Sequence, residues 1–577
     1  MEMEQLQKRL REVLGGKRYF LVLDDVWEEN HAKWLQLEEL IIDGANGSRV
    51  LVTTRSKRIP CTWTLFKRVA FKSGQEPENS NLVKIGREIV GRCKGIPLAI
   101  RTIGNLLYDY LIEVETLVRL WVAQGFLKLS NTSQDQCLEE VGYECFMNLT
   151  EGSFFQDVEV DQCGVITHCK MHDLMHDLAI LVFGAKCVTF HSHCQGNINE
   201  NTHHVSFERD SFSVSQTWLV QARKVRTVLF LDKYCSKVEL DAVVSNFLFT
   251  RSLNLKGLKT NSLNSIGRLK HLRYLGLSYH QHLEALPNSI TNLVNLQTLK
   301  LSNCIKFREL PRDIEKLINL RHLEIDNCYN LEYMPSGIGQ LTNLQTLSKY
   351  VLKKNKKPVL RYVGELKDLL RLNDLRGELD VVNVSHKKDV VEEYGSAKLK
   401  DKQYLRSLRL SWYYDVEIVE ADAIIGYEMS MDALQPHPNL QVLYISNYGG
   451  VKLSSWLSSL ENLVDLTLTD CKKCQYLVSL NRFHGLKVLK LGSLESLEYI
   501  SNNIFNEDLF GTTKTILPSL RELDLGELPN LKGWWREIVI DHSFVAANEE
   551  DKHMSLPYLP SLSKLYICSC PKLTCNQ

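Results

Sequence analysis

The chain has 577 residues, 44% hydrophobic and 24% charged, with 69 basic and 69 acidic side chains in balance. That length calls for more than one hydrophobic core, and the balance excludes a protein held to nucleic acid or an anionic membrane by bulk charge. No apolar run approaches the roughly 18 residues of a spanning helix, and the opening MEMEQLQKRLREVL is a charged helical pattern rather than a secretory signal, so the expectation is a cytoplasmic chain whose 16 cysteines stay reduced.

The first distinct element is YFLVLDDVW, residues 19–27, an apolar strand pattern that exits into Asp24 and Asp25. Two carboxylates at the carboxyl end of a parallel strand suit a Mg²⁺-bound nucleotide, one holding the ion and the other orienting water. A plain strand-to-loop exit has the same pattern, and the stretch alone leaves both readings open. A second buried-strand pattern, GSRVLVTTRS, runs from Gly47 to Ser56 and carries Arg55 near its end. CKGIPLAIRTIG (93–104), VETLVRLWVAQGFL (114–127) and CKMHDLMHDLA (169–179) follow in that order.

His172 and His176 share one helical face in the last stretch, but HDLMH lacks the glutamate of the zinc motif H-E-x-x-H and no matched pair of C-x-x-C motifs lies nearby. No Ser or Cys nucleophile comes with an identifiable base, so the chain reads as a binding protein rather than an enzyme. The tryptophans, among them Trp34, Trp121 and the Trp534–Trp535 pair, read as packing residues.

From about residue 250 the chain repeats itself. HLRYLGLSYH, NLQTLKLSNC, NLRHLEIDNC and NLQTLSKY place leucines 24 residues apart, at Leu272, Leu296, Leu320 and Leu344. LPNSI, LPRDI and MPSGI keep the same phase at Leu286, Leu310 and Met334, where the chain should leave each strand for the convex side. NLQVLYIS, NLVDLTLT, GLKVLKLG, SLRELDLG and SLSKLYIC continue the L-x-x-L-x-L step at irregular spacing, so the second half is a leucine-rich-repeat solenoid.

Strand alternation then sorts the side chains. Leu299 and Leu301 point into the solenoid, and Thr298, Lys300 and Ser302 point out on the concave face. The same rule nominates Tyr274, Lys300, His322, Glu324, Asp326, Tyr444, Asp465, Lys490, Glu522, Asp524 and Tyr566 as a polar and aromatic surface suited to a protein partner. Cys304, Cys328, Cys471 and Cys570 fall where the repeat uses a side chain to bond backbone in the turn. The lysines of VLKKNKKP, from Lys353 to Lys357, read as a solvated loop.

Taken together, YFLVLDDVW, GSRVLVTTRS, CKGIPLAIRTIG and CKMHDLMHDLA resemble the kinase-2, third-strand, GLPL and MHD motifs of the NB-ARC module in plant intracellular immune receptors. Trp27 is similar to the tryptophan of their coiled-coil subclass, VETLVRLWVAQGFL resembles their winged helix, and the repeats resemble their recognition domain. The resemblance implies an α/β chain: a partial P-loop NTPase (NB-ARC) region over 1–108, a winged-helix region over 109–180 ending in the MHD motif, a linker over 181–225, and a repeat domain over 226–577. It implies ADP or ATP with Mg²⁺ as cofactor, held by Asp24 and its neighbour Asp25, with Arg55 sensing the terminal phosphate. Pro97 would pack beside the adenine, flanked by Gly95 and Leu98, and His172 would reach the β-phosphate of ADP.

It further implies recognition of a pathogen effector or a guarded host protein, no nucleic-acid partner, and self-association or pairing with full-length relatives. No G-x-x-x-x-G-K-[ST] occurs in the sequence, so the phosphate cradle of the family is missing. The segments that join the motifs are short, and no coiled coil precedes them. These departures imply a degenerate switch on a well-formed recognition array; the alternative is an adaptor, decoy or inactive fragment that binds no nucleotide.

Overall fold

The computed structural model describes residues 16–23, 49–52, 111–128, 136–172 with 175 and 179, 186–190, 199–207, 223–230, 240–257, 263–354, 361–387, 391–413, 421–501, 517–535 and 559–573. The chain divides into two compact units, residues 1–92 and 93–577. In the first, strands β1 (Phe20–Leu23) and β2 (Arg49–Val52) pair in parallel, Phe20 opposite Arg49 and Leu23 opposite Val52. A parallel pair needs a crossover between its strands, and the two apolar runs expected as neighbouring strands are these. Asp24, Asp25, Arg55, Gly95, Pro97 and Leu98 lie outside the described residues.

The second unit begins with a small antiparallel sheet in the order β3 (Ile112–Glu113), β5 (Ile166–Met171), β4 (Phe155–Val160). Helix α1 (Val114–Gln124) follows β3 directly and ends at Gly125, whose φ of 75° lets its N–H close the last turn on Trp121 and Val122 carbonyls. Nine of its residues, Val114 and Leu117 to Gln124, are buried. A helix buried on nearly every side must be covered by two surfaces. One of them is α2 (Leu138–Glu151), where a Cβ on Gly142 would collide with Val118 and Leu127. The other is the repeat array. Trp121 is fully buried between them.

The array is two eight-stranded parallel sheets. The first runs through β6 (Cys187–Phe190), β7 (His204–Phe207), β8 (Thr227–Phe230), β9 (Ser252–Asn254), β10 (Tyr274–Gly276), β11 (Thr298–Lys300), β12 (His322–Glu324) and β13 (Thr346–Leu347). The second runs through β14 (Lys349–Val351), β15 (Gly377–Val384), β16 (Leu405–Trp412), β17 (Val442–Ser446), β18 (Asp465–Thr469), β19 (Val488–Gly492), β21 (Glu522–Gly526) and β23 (Lys564–Cys568). A side pair, β20 (Tyr499–Ser501) and β22 (Gly533–Trp535), lies apart from both. At Ser348, between β13 and β14, the chain passes from one sheet to the other, and the Ser348 hydroxyl accepts the Ile325 N–H there.

The expected linker over 181–225 is corrected by β6 and β7, which are rungs of the first sheet. Their core is Val188, Phe190, Val205 and Phe207, with Phe207 stacked on Phe190 and Phe230. A search keyed to leucine spacing passes over rungs built from valine and phenylalanine, although their strand alternation is the same.

Elsewhere the repeat reading holds. Leu299 and Leu301 are fully buried, and short 3₁₀ turns open after Pro287 and Pro335 on the convex side. Asn303, Asn327, Asp470 and Ser569 turn the chain in the left-handed region, and the cysteine after each bonds a carbonyl of an earlier rung, Cys304 to Leu277 and Cys328 to Leu301 among them. Asn295, Asn319 and Asn343 form a further ladder, each amide donating to the previous repeat.

Candidate functional site

Strand alternation does place Tyr274, Lys300, His322 and Glu324 on the concave side, but they are not open there. Tyr274, His322 and Glu324 are buried, because α1 and α2 rest on the first sheet. The surface expected to receive a partner is, over these rungs, already occupied from within the chain.

The contact has a charged centre. Glu324 ion-pairs with Arg119 of α1 and with Lys300 at 2.8 Å, while Lys300 also reaches Glu113 at 2.6 Å and the Thr116 hydroxyl at 3.1 Å. Arg119 is 5% exposed and Glu324 7%, so the pairs are screened little by water. Burial alone would raise the Glu113 carboxyl, but the charge and hydrogen bond of Lys300, with Thr116 and Arg119, hold it at about 2. Burial draws the Lys300 ammonium below its ordinary range, and the carboxylates of Glu113 and Glu324 beside it oppose that shift.

Beside it, Glu139 in the first turn of α2 accepts two bonds from Arg321, at 2.8 and 2.5 Å, and one from His322 Nε2 at 3.0 Å. Burial, and then the nearby Arg119, push His322 down to about 4, so the ring is neutral. Its Nε2–H donates to Glu139 and its Nδ1 accepts from the Thr346 hydroxyl at 3.0 Å. The countercharge for Glu139 comes from Arg321, and its carboxyl lies well below the ordinary range despite its burial. Glu140 pairs with Arg376 and also bonds the N–H of Cys137, so one carboxylate caps the helix and anchors it to the sheet.

The far end of α1 is held in a different way. Its last turn carries no basic residue, yet Arg251 donates to the Gln124 carbonyl at 2.8 Å and Arg273 to the Ala123 carbonyl at 3.4 Å. These guanidinium groups meet the negative end of the helix dipole and satisfy carbonyls that the helix leaves free. The Gln124 amide in turn donates to Thr227 and Ser252, and Lys487 reaches the Gln162 carbonyl in the β4–β5 turn.

Arg251, Arg273, Arg321 and Arg376 were not among the nominated surface residues, since each sits one residue before its strand or, at Arg376, just ahead of it. Their backbones form a ladder: Arg251 N–H bonds Arg226 O, Arg273 bonds Arg251, Gln297 bonds Arg273, Arg321 bonds Gln297, Gln345 bonds Arg321 and Arg376 bonds Gln345. The sequence signal is Leu-Arg, as at Leu272-Arg273, Leu320-Arg321, Leu375-Arg376, Leu405-Arg406 and Leu520-Arg521. Alternation counted only within the strand misses it.

The second sheet keeps an open face. Arg409 lies 4.4 Å over the Tyr444 ring and 3.6 Å from Glu378, and Lys490 pairs with Glu522 at 2.6 Å. Asp465 bonds Thr467, and Tyr566 is exposed. Burial, relieved only in part by Lys349 and Arg409, pushes Asp380 up to about 6. Asp326, just past β12 of the first sheet, is half-buried and accepts from Ser302 at 3.0 Å.

His172 follows β5, its N–H donating to Phe154 O at 2.8 Å. The strand that ends at it pairs with β3, which leads straight into α1. His172 is thus one short sheet away from the helix seated on the repeats.

Comparison with known proteins gives three family matches along the chain: the NB-ARC domain over residues 1–72, the disease resistance protein winged helix domain over 108–179, and the leucine-rich repeat region over 224–576. The chain belongs to the NB-ARC leucine-rich-repeat disease resistance family. An RGA1 disease-resistance-type protein of Solanum bulbocastanum is 36% identical, covering 92% of this chain and 57% of the relative. Disease resistance protein RGA2 of the same species is 32% identical over all of this chain and 61% of the relative. An RPP13-like disease-resistance-type protein of Arabidopsis thaliana is 31% identical, covering 99% of the chain and 60% of the relative. The chain therefore spans about three fifths of the length of these relatives. Among the described residues no helix is long and apolar enough to cross a membrane.

Proposed function

We propose that this chain acts as a cytoplasmic immune receptor of the disease resistance type, in which the repeats sense a protein and the winged helix reports it to the nucleotide-binding region. The observation that carries the reading is the seat of α1 and α2 on the concave face. A partner arriving on the repeats can change a contact that lies one sheet away from His172. In this reading the seat exchanges between a docked and a released state, and breaking its buried ion pairs sets the cost of release.

In this reading ADP or ATP with Mg²⁺ is held by Asp24, Asp25, Arg55, Gly95, Pro97, Leu98 and His172. Asp326 and the open second sheet, with Tyr444, Asp465, Lys490, Glu522, Asp524 and Tyr566, take the first contact with an effector or a guarded host protein. The nucleotide acts as a ligand that favours one state, so turnover is not required. Self-association or pairing with longer relatives would follow release. A second reading is an adaptor or decoy that keeps the seat and the open sheet but binds no nucleotide.

Calorimetry of the whole chain with ADP and Mg²⁺, beside the Asp24→Ala variant, separates the two. Micromolar binding lost in the variant supports the switch. Absence of binding to the unaltered chain leaves the adaptor.

A further inference from the structure

The basic ladder along the rim does not stop at Arg251. Arg226 N–H bonds His203 O at 2.7 Å and His203 N–H bonds Lys186 O at 2.9 Å, so Lys186, His203 and Arg226 are the first three rungs, with Lys224 two residues before Arg226. Each later basic rung under the winged helix has an electron-rich partner. Arg251 and Arg273 have the carbonyls at the end of α1, and Arg321 and Arg376 have Glu139 and Glu140. Among the described residues the first three rungs and Lys224 pair with no carboxylate. Lys186, Lys224 and Arg226 are exposed and His203 is half-buried.

We propose that Lys186, His203, Lys224 and Arg226 form a binding site for a small polyphosphate anion at the first rungs of the repeat array. Adjacent rungs of a parallel sheet are about 4.8 Å apart, so the basic groups lie close enough to share one multiply charged ligand. A lone carboxylate offers two oxygens, whereas each phosphate offers three strong acceptors, which matches a cluster with one guanidinium, two ammonium groups and a ring N–H. The field at the site supports this. Burial, and then Arg226, Lys186 and Lys224, hold His203 below its ordinary range, and the His204 ring lies 6.1 Å away. A bound anion reverses that field and draws a proton onto His203, which strengthens the site as the pH falls, while protonation of the phosphates near pH 6 works against it. Arg226 also offers its carbonyl to the Gln124 amide at 3.4 Å. An anion here therefore meets the same rung that helps to hold the end of α1.

The test is titration calorimetry of the full chain with sodium tripolyphosphate and with inositol hexakisphosphate at about 0.15 M salt, where nonspecific attraction is screened. The combined Lys186→Gln, Lys224→Gln, Arg226→Gln variant should bind roughly tenfold more weakly or worse. Arg521→Gln, on a distant rung, should bind as the unaltered chain does. Affinity relative to a His203→Gln variant should be higher near pH 5.5 than near pH 7.5, a comparison in which titration of the ligand cancels. Binding of both anions identifies a site that reads phosphate density, and binding of the inositol compound alone identifies a ring-phosphate ligand. Equal binding by the rim variant, loss of tripolyphosphate binding in Asp24→Ala, or tighter binding of a hexaglutamate peptide would each overturn the proposal.

Discussion

The two sheets of the array are both parallel and share one continuous apolar core, yet their concave faces have opposite fates. Over the first sheet the outward residues Tyr274, His322 and Glu324 are buried beneath α1 and α2, whereas over the second Glu378, Arg409 and Tyr566 stay exposed. The difference does not come from the strands, since both faces mix acids, bases and tyrosines. It comes from what the winged helix brings to them: Glu113, Arg119 and Glu139 complement the first sheet, and Glu140 reaches Arg376 at the near edge of the second. A concave face thus becomes a surface for a partner only where the chain's own domains leave it uncovered.

The contrast can be broken most severely at its centre. Arg119→Ala leaves Glu324 buried with Lys300 alone, and removing one member of a buried pair costs about 3–5 kcal/mol. Hydrogen exchange should show α1 losing protection while β16–β19 keep theirs; retained protection of α1 would mean that apolar packing alone holds the seat. Glu139→Gln should weaken docking by about 1.5–3 kcal/mol, the range for a charge-assisted hydrogen bond, detected as faster proteolysis between α1 and α2.

Acid should loosen the same contact. His322 is held at about 4 when docked, against 6.5 for the free ring, so its neutral form is the docked one. Docking is fully supported above about pH 6.5 and weakens as the pH falls towards 4. Glu113, held at about 2 when docked against 4.5 for the free carboxyl, adds to the loss only as the pH falls below about 4.5. Hydrogen exchange of α1 at both ends of the window measures the effect, and His322→Gln should flatten it.

On the open sheet the expected change is small. Asp524→Asn should move the melting free energy by no more than about 0.5 kcal/mol, because surface changes away from buried networks rarely do more. A larger loss in a denaturant titration would show that this face is also engaged within the chain.

Much of this was legible in the sequence. The 24-residue spacing at Leu272, Leu296, Leu320 and Leu344 gives the rungs, and the second series at Leu286, Leu310 and Met334 gives the convex turns. The cysteine-to-backbone bonds at Cys304, Cys328, Cys471 and Cys570 follow from their place after a turn residue. The β1–β2 pair was readable from two apolar runs. The rungs at Cys187–Phe190 and His204–Phe207 were not found by a leucine pattern, because valine and phenylalanine fill their cores. Lys402 is another case: its sequence context suggests a surface lysine, yet it is fully buried with its ammonium donating to the Leu369 and Leu372 carbonyls.

Sequence by itself determined the leucine-built rungs and which of their side chains face the concave side, since strand alternation and repeat spacing are local and leave little choice of register. Only the tertiary structure decided which of those side chains meet water and which meet the winged helix. The pairs Arg119–Glu324, Lys300–Glu113 and Arg321–Glu139 join residues 182 to 205 positions apart, and no local periodicity records so distant a partner.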